Sequence, residues 1–347
     1  MKRILVTGAS GFLGTYLLAD LAKLNVEVLA FSRYVRQSES SKLTWIKADI
    51  TDESSLLSPE ILEQLGTIDI IIHAAALYDL SSGREELYRQ NVIGTSNILH
   101  LVRLLPSIPH FAHISTIAIA GCSNLNFDEN TFDVGQSFPD DYASTKFAAE
   151  HMVRSANDIP SRSIYRLGIV VGSSIDGGMT KIDGPYTLQK VIRSLIPFRG
   201  IISKLKFMPL PYHEGSRLYL ISVNIASHLI ATLVLKVSDR VGITTFHVTG
   251  GGRGVSVRRI VQTMFAHYEI AAEPVPLPKA VLMPWVVKAL GVPQNAGEYL
   301  HTRWSFSSKN LEKELPTFRY PSFAHFAKRN MAYADTHLFS ERKGKKS

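Results

Sequence analysis

The 347-residue chain is 45% hydrophobic, 20% charged and 9% aromatic, with 23 glycines and 16 prolines, an ordinary globular balance that excludes disordered, collagen-like and disulfide-scaffold classes. Its one cysteine, Cys122, cannot close an intrachain disulfide, and Met1-Lys2-Arg3 leads into a strand pattern with no apolar leader, so a cytoplasmic chain is expected. The net charge of +8 suits phosphorylated ligands or an acidic membrane surface, but no nucleic-acid module or basic–aromatic face accompanies it, so nucleic acid is not an expected partner.

In chain order, short β-rich runs at Arg3–Thr7, Glu27–Phe31, Leu43–Ala48, Ile68–His73, His110–Ser115 and Ser163–Leu167 alternate with helical patterns near Phe12–Leu24, Ser54–Leu65, Glu85–Leu105 and Tyr142–Ala156. That alternation predicts an α/β fold, a doubly wound parallel sheet of Rossmann type. The all-apolar Ile68–Ile72 fits a strand covered on both faces. After Gly172 the rhythm becomes irregular, with a helix-like run at Val223–Lys236 and a strand-like Thr245–Val248. The expected organisation is therefore a cofactor-binding domain over 1–172, a mainly substrate-binding lobe over 173–335, with the strand near 245–248 a candidate to return to the sheet, and a basic tail over 336–347. No apolar run reaches the ~18–20 residues of a membrane span. Ile196–Leu210, broken by Arg199, Lys204 and Lys206, and Ala280–Val292, broken by Pro284 and Lys288, read as pocket-lining or surface-seeking segments.

The strongest local signal is Thr7-Gly8-Ala9-Ser10-Gly11-Phe12-Leu13-Gly14, placed after a strand and opening a helix. The first glycine permits the tight turn, the second lets backbone approach a pyrophosphate, and the third lets helix pack on strand, while the helix N-terminus offers amide donors. Gly8, Ser10, Gly11, Phe12, Leu13 and Gly14 are thus candidate cofactor contacts. The second strand ends in Ser32-Arg33, with Arg36 following, where an NAD-selective protein would carry a carboxylate. Arg33 suits a 2′-phosphate, favouring NADP(H) over NAD(H). Asp49, beside Ile50 after the third strand, either accepts from the adenine amino group or caps the helix after Thr51.

Tyr142 and Lys146 stand four apart and hence on one helical face. A neighbouring ammonium lowers the pKa of a phenol, which makes tyrosine a usable acid–base group near neutrality. Thr116 ends the fifth strand, where a hydroxyl faces the ligand crevice of a parallel sheet. His73 reads as a strand-end packing residue, and the twelve histidines show no metal-binding spacing.

With these motifs in order, the sequence resembles the extended short-chain dehydrogenase/reductases across most of its length. The matching residues are the glycine loop, Asp49, the run His73-Ala74-Ala75-Ala76, Asn91-Val92-Ile93-Gly94-Thr95, Thr116, Tyr142 and Lys146. The resemblance implies that Ala74, Ala75 and Ala76 lie beside the cofactor, that Asn91 supports a proton-relay water, and that Thr116, Tyr142 and Lys146 do the chemistry, with Ser115 the weaker candidate hydroxyl. A narrower similarity, carried by Tyr78-Asp79-Leu80, Tyr165-Arg166-Leu167-Gly168 and above all Gly178-Met179-Thr180-Lys181-Ile182-Asp183-Gly184-Pro185-Tyr186, points to the fatty acyl-CoA reductase and thioester-reductase branch. Leu167, where the family usually has proline, and Asn224, where it usually has aspartate, depart from the pattern near the substrate region. The branch implies an acyl thioester or fatty aldehyde as substrate, presented as acyl-CoA or on an acyl carrier. Peripheral membrane contact and a homodimer are compatible with it. The rival readings are a nucleotide-sugar epimerase or dehydratase, a hydroxysteroid or other ketone reductase, and a cofactor-sensing or scaffold protein.

Overall fold

A computed structural model describes all residues except 35, 38–39, 80–81, 124, 181, 183, 211, 277–303 and 340–347. The apolar stretch 280–292, the end of the basic tail, and Leu80, Lys181 and Asp183 lie outside the described residues.

The six strands expected from the first half of the chain all form, as Lys2–Thr7, Val26–Ser32, Leu43–Lys47, Ile70–His73, His110–Thr116 and Ser161–Leu167. With Gly242–Val248 they make one seven-stranded sheet. Across it the strands run Gly242–Val248, Ser161–Leu167, His110–Thr116, Ile70–His73, Lys2–Thr7, Val26–Ser32, Leu43–Lys47, and every pairing is parallel. The order reverses direction at Lys2–Thr7, which puts the ligand crevice beyond the carboxyl ends of that strand and Ile70–His73.

Side chains on a strand alternate between faces. Ile4, Val6, Ile70, Ile72, Ala112, Ile114, Tyr165 and Leu167 enter one core with helices Phe12–Leu21 and Val223–Val237, whereas Leu5, Ile71, Phe111 and Ile164 enter a second core with Ile61, Ile98, Val102 and Val153 from the helices of the other face. Each such aliphatic side chain, once buried, contributes about 1.5–3 kcal/mol, which is why the near-continuous apolar runs settle as central strands. The Val223–Val237 helix and the Gly242–Val248 strand follow residue 172 in sequence yet pack into and extend the sheet layer.

Two expected helices are interrupted. Ser54–Leu65 divides into Glu53–Leu56 and Pro59–Leu65, because Pro59 has no amide hydrogen to continue the first helix and starts the second, capped by Ser58. Glu85–Leu105 becomes Arg84–Tyr88 and Gly94–Leu104 joined by a π-helical turn, Arg89–Ile93. Such turns accompany functional sites, and Asn91 lies within this one.

The remaining residues build a lobe around Tyr186, Ile192, Met264, Phe265, Phe326 and Met331, drawn from helices Pro185–Ser194, Val257–His267 and Phe323–Tyr333. It is tied to the sheet domain where Ile169–Val171 pairs with Leu220–Ser222, and where Phe12 of the glycine loop packs against the lobe's core.

Candidate active site

The glycine loop is closed on three sides. Gly8 has φ +69°, and a Cβ there would lie 2.6 Å from the Ala75 amide nitrogen. At Gly14 a Cβ would come within 2.2 Å of the Gly8 carbonyl oxygen, so both positions admit only glycine. Gly11 caps the helix Phe12–Leu21, and its amide donates to Gly8 O at 3.0 Å. Ser10 and Gly11 are exposed, Leu13 leans toward the sheet core and Phe12 toward the lobe. Ala74 and Ala75 are held against the loop by amide donation to Thr7 O (3.3 Å) and Thr7 Oγ1 (3.2 Å), and Ala76 beyond them is exposed. A cradle that any Cβ would fill, facing a helix N-terminus, fits the pyrophosphate of a dinucleotide.

At the far end of the crevice Arg33 is exposed at the tip of Val26–Ser32, while Ser32 is buried and its hydroxyl accepts from the Tyr34 amide at 3.3 Å. The Arg36 guanidinium instead lies over the Trp45 ring, 5.3 Å from its centroid. The helix after Thr51 is capped by Asp52, not by Asp49. Asp49 Oδ1 accepts from the amide and hydroxyl of Thr51, both at 2.9 Å, in a tight Asx turn. Ile50 is buried, and its carbonyl accepts from Asn97 Nδ2 at 2.9 Å.

Thr116 ends the strand His110–Thr116, and Tyr142 and Lys146 lie on the helix Asp141–Ser155, which packs against that strand. Asp140 caps that helix, accepting from the Ala143 amide at 2.7 Å, and so fixes the turn that carries Tyr142. One turn further, the Lys146 ammonium donates to Ile114 O at 2.7 Å, two residues before Thr116. Thr116 Oγ1 accepts from the Ala118 amide at 3.2 Å, a bond that leaves the hydroxyl proton for donation. Tyr142 is half-buried, its ring meeting that of Tyr78 edge-on at 4.8 Å. Burial pulls the Lys146 ammonium down to about 8, against the opposing attraction of Glu150. Asn91 is buried and locked: Oδ1 accepts from the Leu77 amide at 2.7 Å, and Nδ2 donates to Leu77 O at 3.2 Å and Thr145 Oγ1 at 3.1 Å. It thereby ties the alanine loop to the helix bearing Tyr142.

Two buried networks underlie these groups. His73 does more than pack: its Nδ1 is 2.8 Å from Thr7 Oγ1 and its Nε2 3.0 Å from Thr95 Oγ1. Burial, and secondly the charge of Lys146, depress it to about 3, so it stays neutral. On the opposite side of Lys146 stands Glu150, fully buried and one helical turn on. Its carboxylate receives Arg166 Nη2 at 2.7 Å, Arg154 Nε at 2.9 Å and Ser115 Oγ at 2.6 Å. Burial alone would push Glu150 up, but Arg166 and the other donors outweigh it and hold it below the usual carboxylate range. Ser115 is thereby spent on Glu150, on the face opposite to Thr116. Arg166 also reaches Thr131 O at 2.8 Å and His247 Nε2 at 3.2 Å. Of these, Glu150 had a sequence signal, since 142, 146 and 150 share one helical face. Arg166 and His247 come from distant strands and had none.

Fold and glycine loop define the class: that of the extended short-chain dehydrogenases/reductases. More narrowly, residues 29–212, just over half of the chain, match the family described as "Male sterility protein", and the chain belongs to that family. It is 30% identical over 164 residues to the 2-alkyl-3-oxoalkanoate reductase of Stenotrophomonas maltophilia, covering 45% of this chain and 47% of that protein. The chain spans about half the length of the first curated relatives it matches, 47% and 44%. Among solved structures it is similar in fold to the terminal R domain from the myxalamid PKS-NRPS biosynthetic pathway, with a TM-score of 0.75, 21% identity, and coverage of 98% of this chain and 92% of that one. A thiolation-reductase di-domain from an archaeal non-ribosomal peptide synthetase gives a TM-score of 0.69 at 21% identity, covering 96% of this chain and 75% of that one.

Proposed function

We propose that this chain reduces a carbonyl with NADP(H), and that the carbonyl belongs to a fatty acyl thioester or the corresponding aldehyde. The observation that supports the reading is the packing of the helix bearing Tyr142 and Lys146 against the strand that ends at Thr116, with the Lys146 ammonium anchored on Ile114 O at 2.7 Å. Gly8, Ser10, Gly11, Phe12, Leu13, Gly14, Asp49, Ile50 and Ala74 to Ala76, with Ser32, Arg33 and Arg36 at the adenosine end, would hold the cofactor, which would supply the hydride. Thr116 donates a hydrogen bond to the substrate oxygen, and Tyr142 gives it a proton as negative charge develops there. Lys146 holds the ribose and, by its charge, lowers the cost of the tyrosinate that results. Asn91 keeps the alanine loop and the Tyr142 helix in register and supports the water that restores the proton.

With a thioester, hydride and proton addition gives a hemithioacetal, which releases thiol and leaves an aldehyde. A second reduction gives the alcohol. The acyl assignment draws support from the apolar lobe core that begins at Phe12, and from fold likeness to a domain solved together with its thiolation domain, which makes a carrier-bound thioester a reasonable donor beside acyl-CoA. A second reading, reduction of a 3-oxo acid ketone, is favoured by the 30% likeness to the 2-alkyl-3-oxoalkanoate reductase.

The test is NADPH consumption with a long-chain acyl-CoA, the matching aldehyde and a 3-oxo acid in parallel, with products identified. Turnover of the thioester or aldehyde upholds the first reading, and turnover of the 3-oxo acid alone replaces it with the second.

A further inference from the structure

Four of the fourteen large apolar side chains left exposed among the described residues fall within ten positions of each other. Phe198, Ile201, Leu205 and Phe207 are 56%, 65%, 62% and 58% exposed. The other ten are spread along the chain. The 3₁₀ turn Ile196–Phe198 runs into the helix Arg199–Leu205, and positions 198, 201 and 205 share one face of it. Ile202 is buried in the lobe core, where Leu195, Ile196 and Met208 also pack. Lys206, in the left-handed region at φ +61°, stops the helix and turns the chain into the strand Phe207–Leu210, which is pinned by parallel pairing with Glu273–Pro276. The outward apolar face is therefore held on a rigid base.

The charge around it is one-sided. From Pro185 to His213 there is no aspartate or glutamate, while Lys190, Arg193, Arg199, Lys204 and Lys206 all fall within that stretch. Acids contributed by other elements are already engaged: Glu269 with Arg199 at 3.0 Å, Asp335 with Arg193 at 3.1 Å and Glu273 with Arg258 at 2.6 Å. Lys204 and Lys206 are exposed and have no carboxylate partner among the described residues. Exposed apolar side chains interleaved along the chain with exposed lysines are the pattern of a segment that rests in the headgroup region of a bilayer. No helix among the described residues is long and apolar enough to cross a membrane, so the contact is peripheral.

We propose that the surface formed by Phe198, Ile201, Leu205 and Phe207, flanked by Lys204 and Lys206, unpaired among the described residues, docks the protein on an anionic lipid bilayer. The apolar side chains enter the acyl–headgroup boundary and the cations meet lipid phosphates. The same lobe core that supports this surface extends to Phe12 at the glycine loop, so docking would set the lobe, rather than the outer helices of the sheet, against the lipid. The inference does not rest on the acyl-thioester reading, because docking is measured without turnover.

The test uses the full chain with phosphatidylcholine vesicles and with vesicles containing phosphatidylglycerol, separated by flotation at low and high salt. The expected result is binding to the anionic vesicles that weakens with salt, falls at least tenfold in the double variant Ile201→Asp/Leu205→Asp, and loses its anionic preference in Lys204→Glu/Lys206→Glu. Unchanged cofactor binding and thermal unfolding show that these exposed substitutions leave the fold intact. Phe207→Trp, which keeps an aromatic at the surface, is expected to shift its emission to the blue on vesicles. Absence of vesicle binding by the native chain, binding undiminished in the variants, or no emission shift would each overturn the proposal. Self-association abolished by Ile201→Asp/Leu205→Asp, without vesicle binding, would assign the surface to a second copy of the chain.

Discussion

Lys146 donates from its ammonium to the carbonyl oxygen of Ile114 at 2.7 Å, a bond that joins the helix of Tyr142 to the strand of Thr116 two residues short of the catalytic hydroxyl. It orients a cation whose charge is marginal, since burial brings Lys146 down to about 8. The ammonium is present below that value and lost above it. Cofactor affinity is therefore expected to fall as pH rises through about 8, checked by fluorescence titration of NADPH. Glu150→Gln removes the attraction that raises Lys146 and moves this limb to lower pH, with a larger effect on the pH profile than on affinity at pH 6. An unmoved limb in a folded variant would assign Glu150 a structural role only.

Tyr142→Phe removes the proton donor and keeps the ring that meets Tyr78 edge-on at 4.8 Å. Turnover should drop by about 10²–10⁴-fold, the usual worth of a positioned general acid, with cofactor affinity nearly unchanged. Thr116→Val should lower turnover by less than Tyr142→Phe, because the hydroxyl orients the substrate oxygen and the phenol supplies its proton. Activity retained in Tyr142→Phe would remove Tyr142 as the acid.

Much of this site was legible because its signals are local. The glycines of 8–14 follow a strand within one turn, 142 and 146 share a helical face, and a near-continuous apolar run such as Ile68–Ile72 marks a strand covered on both faces. What stayed hidden depends on contacts between distant segments. Ser115, the weaker candidate beside Thr116, donates its hydroxyl to Glu150, a partner that sequence alone does not reveal, and the anchoring of Lys146 on Ile114 involves a backbone oxygen that leaves no mark in sequence. Asp49 was one candidate cap for the helix after Thr51, a role the structure gives to Asp52, since Asx turns and N-caps use the same residue types. The interruption at 58–59 was readable from Ser-Pro, whereas nothing local announces the π-turn around Asn91.

Arg33 is exposed beside the buried Ser32, whereas Arg36 is drawn onto Trp45. On the proposed NADP(H) reading, Arg33 is the arginine that meets the 2′-phosphate. Arg33→Ala should weaken NADPH by roughly tenfold or more, consistent with about 1.5–3 kcal/mol for a charge-assisted bond, and leave NADH little changed. Arg36→Ala should affect both nucleotides alike. Equal losses for the two nucleotides in Arg33→Ala would place the cofactor's selectivity elsewhere.

The buried histidines make stability depend on acid. His73 is held neutral to about 3, and His110 and His247 to about 4, in each case chiefly by burial. In the unfolded chain these imidazoles take up protons near their ordinary value of about 6.5, so below it the unfolded state binds more protons than the folded one and stability falls. Each of the three should cost about 1.4 kcal/mol per pH unit from about 6.5 down to its folded value. Above pH 7 the same groups are neutral in both states and contribute no slope. Calorimetry at pH 5.5 should accordingly record net proton uptake on unfolding and a Tm well below that at pH 7. His110→Gln, which can keep a bond to Ser161 or Ser163, now 2.6 and 2.7 Å from the ring nitrogens, should reduce that uptake by about one proton. An uptake unchanged by the substitution would mean that His110 already titrates normally in the folded protein and is not the buried neutral group its surroundings imply.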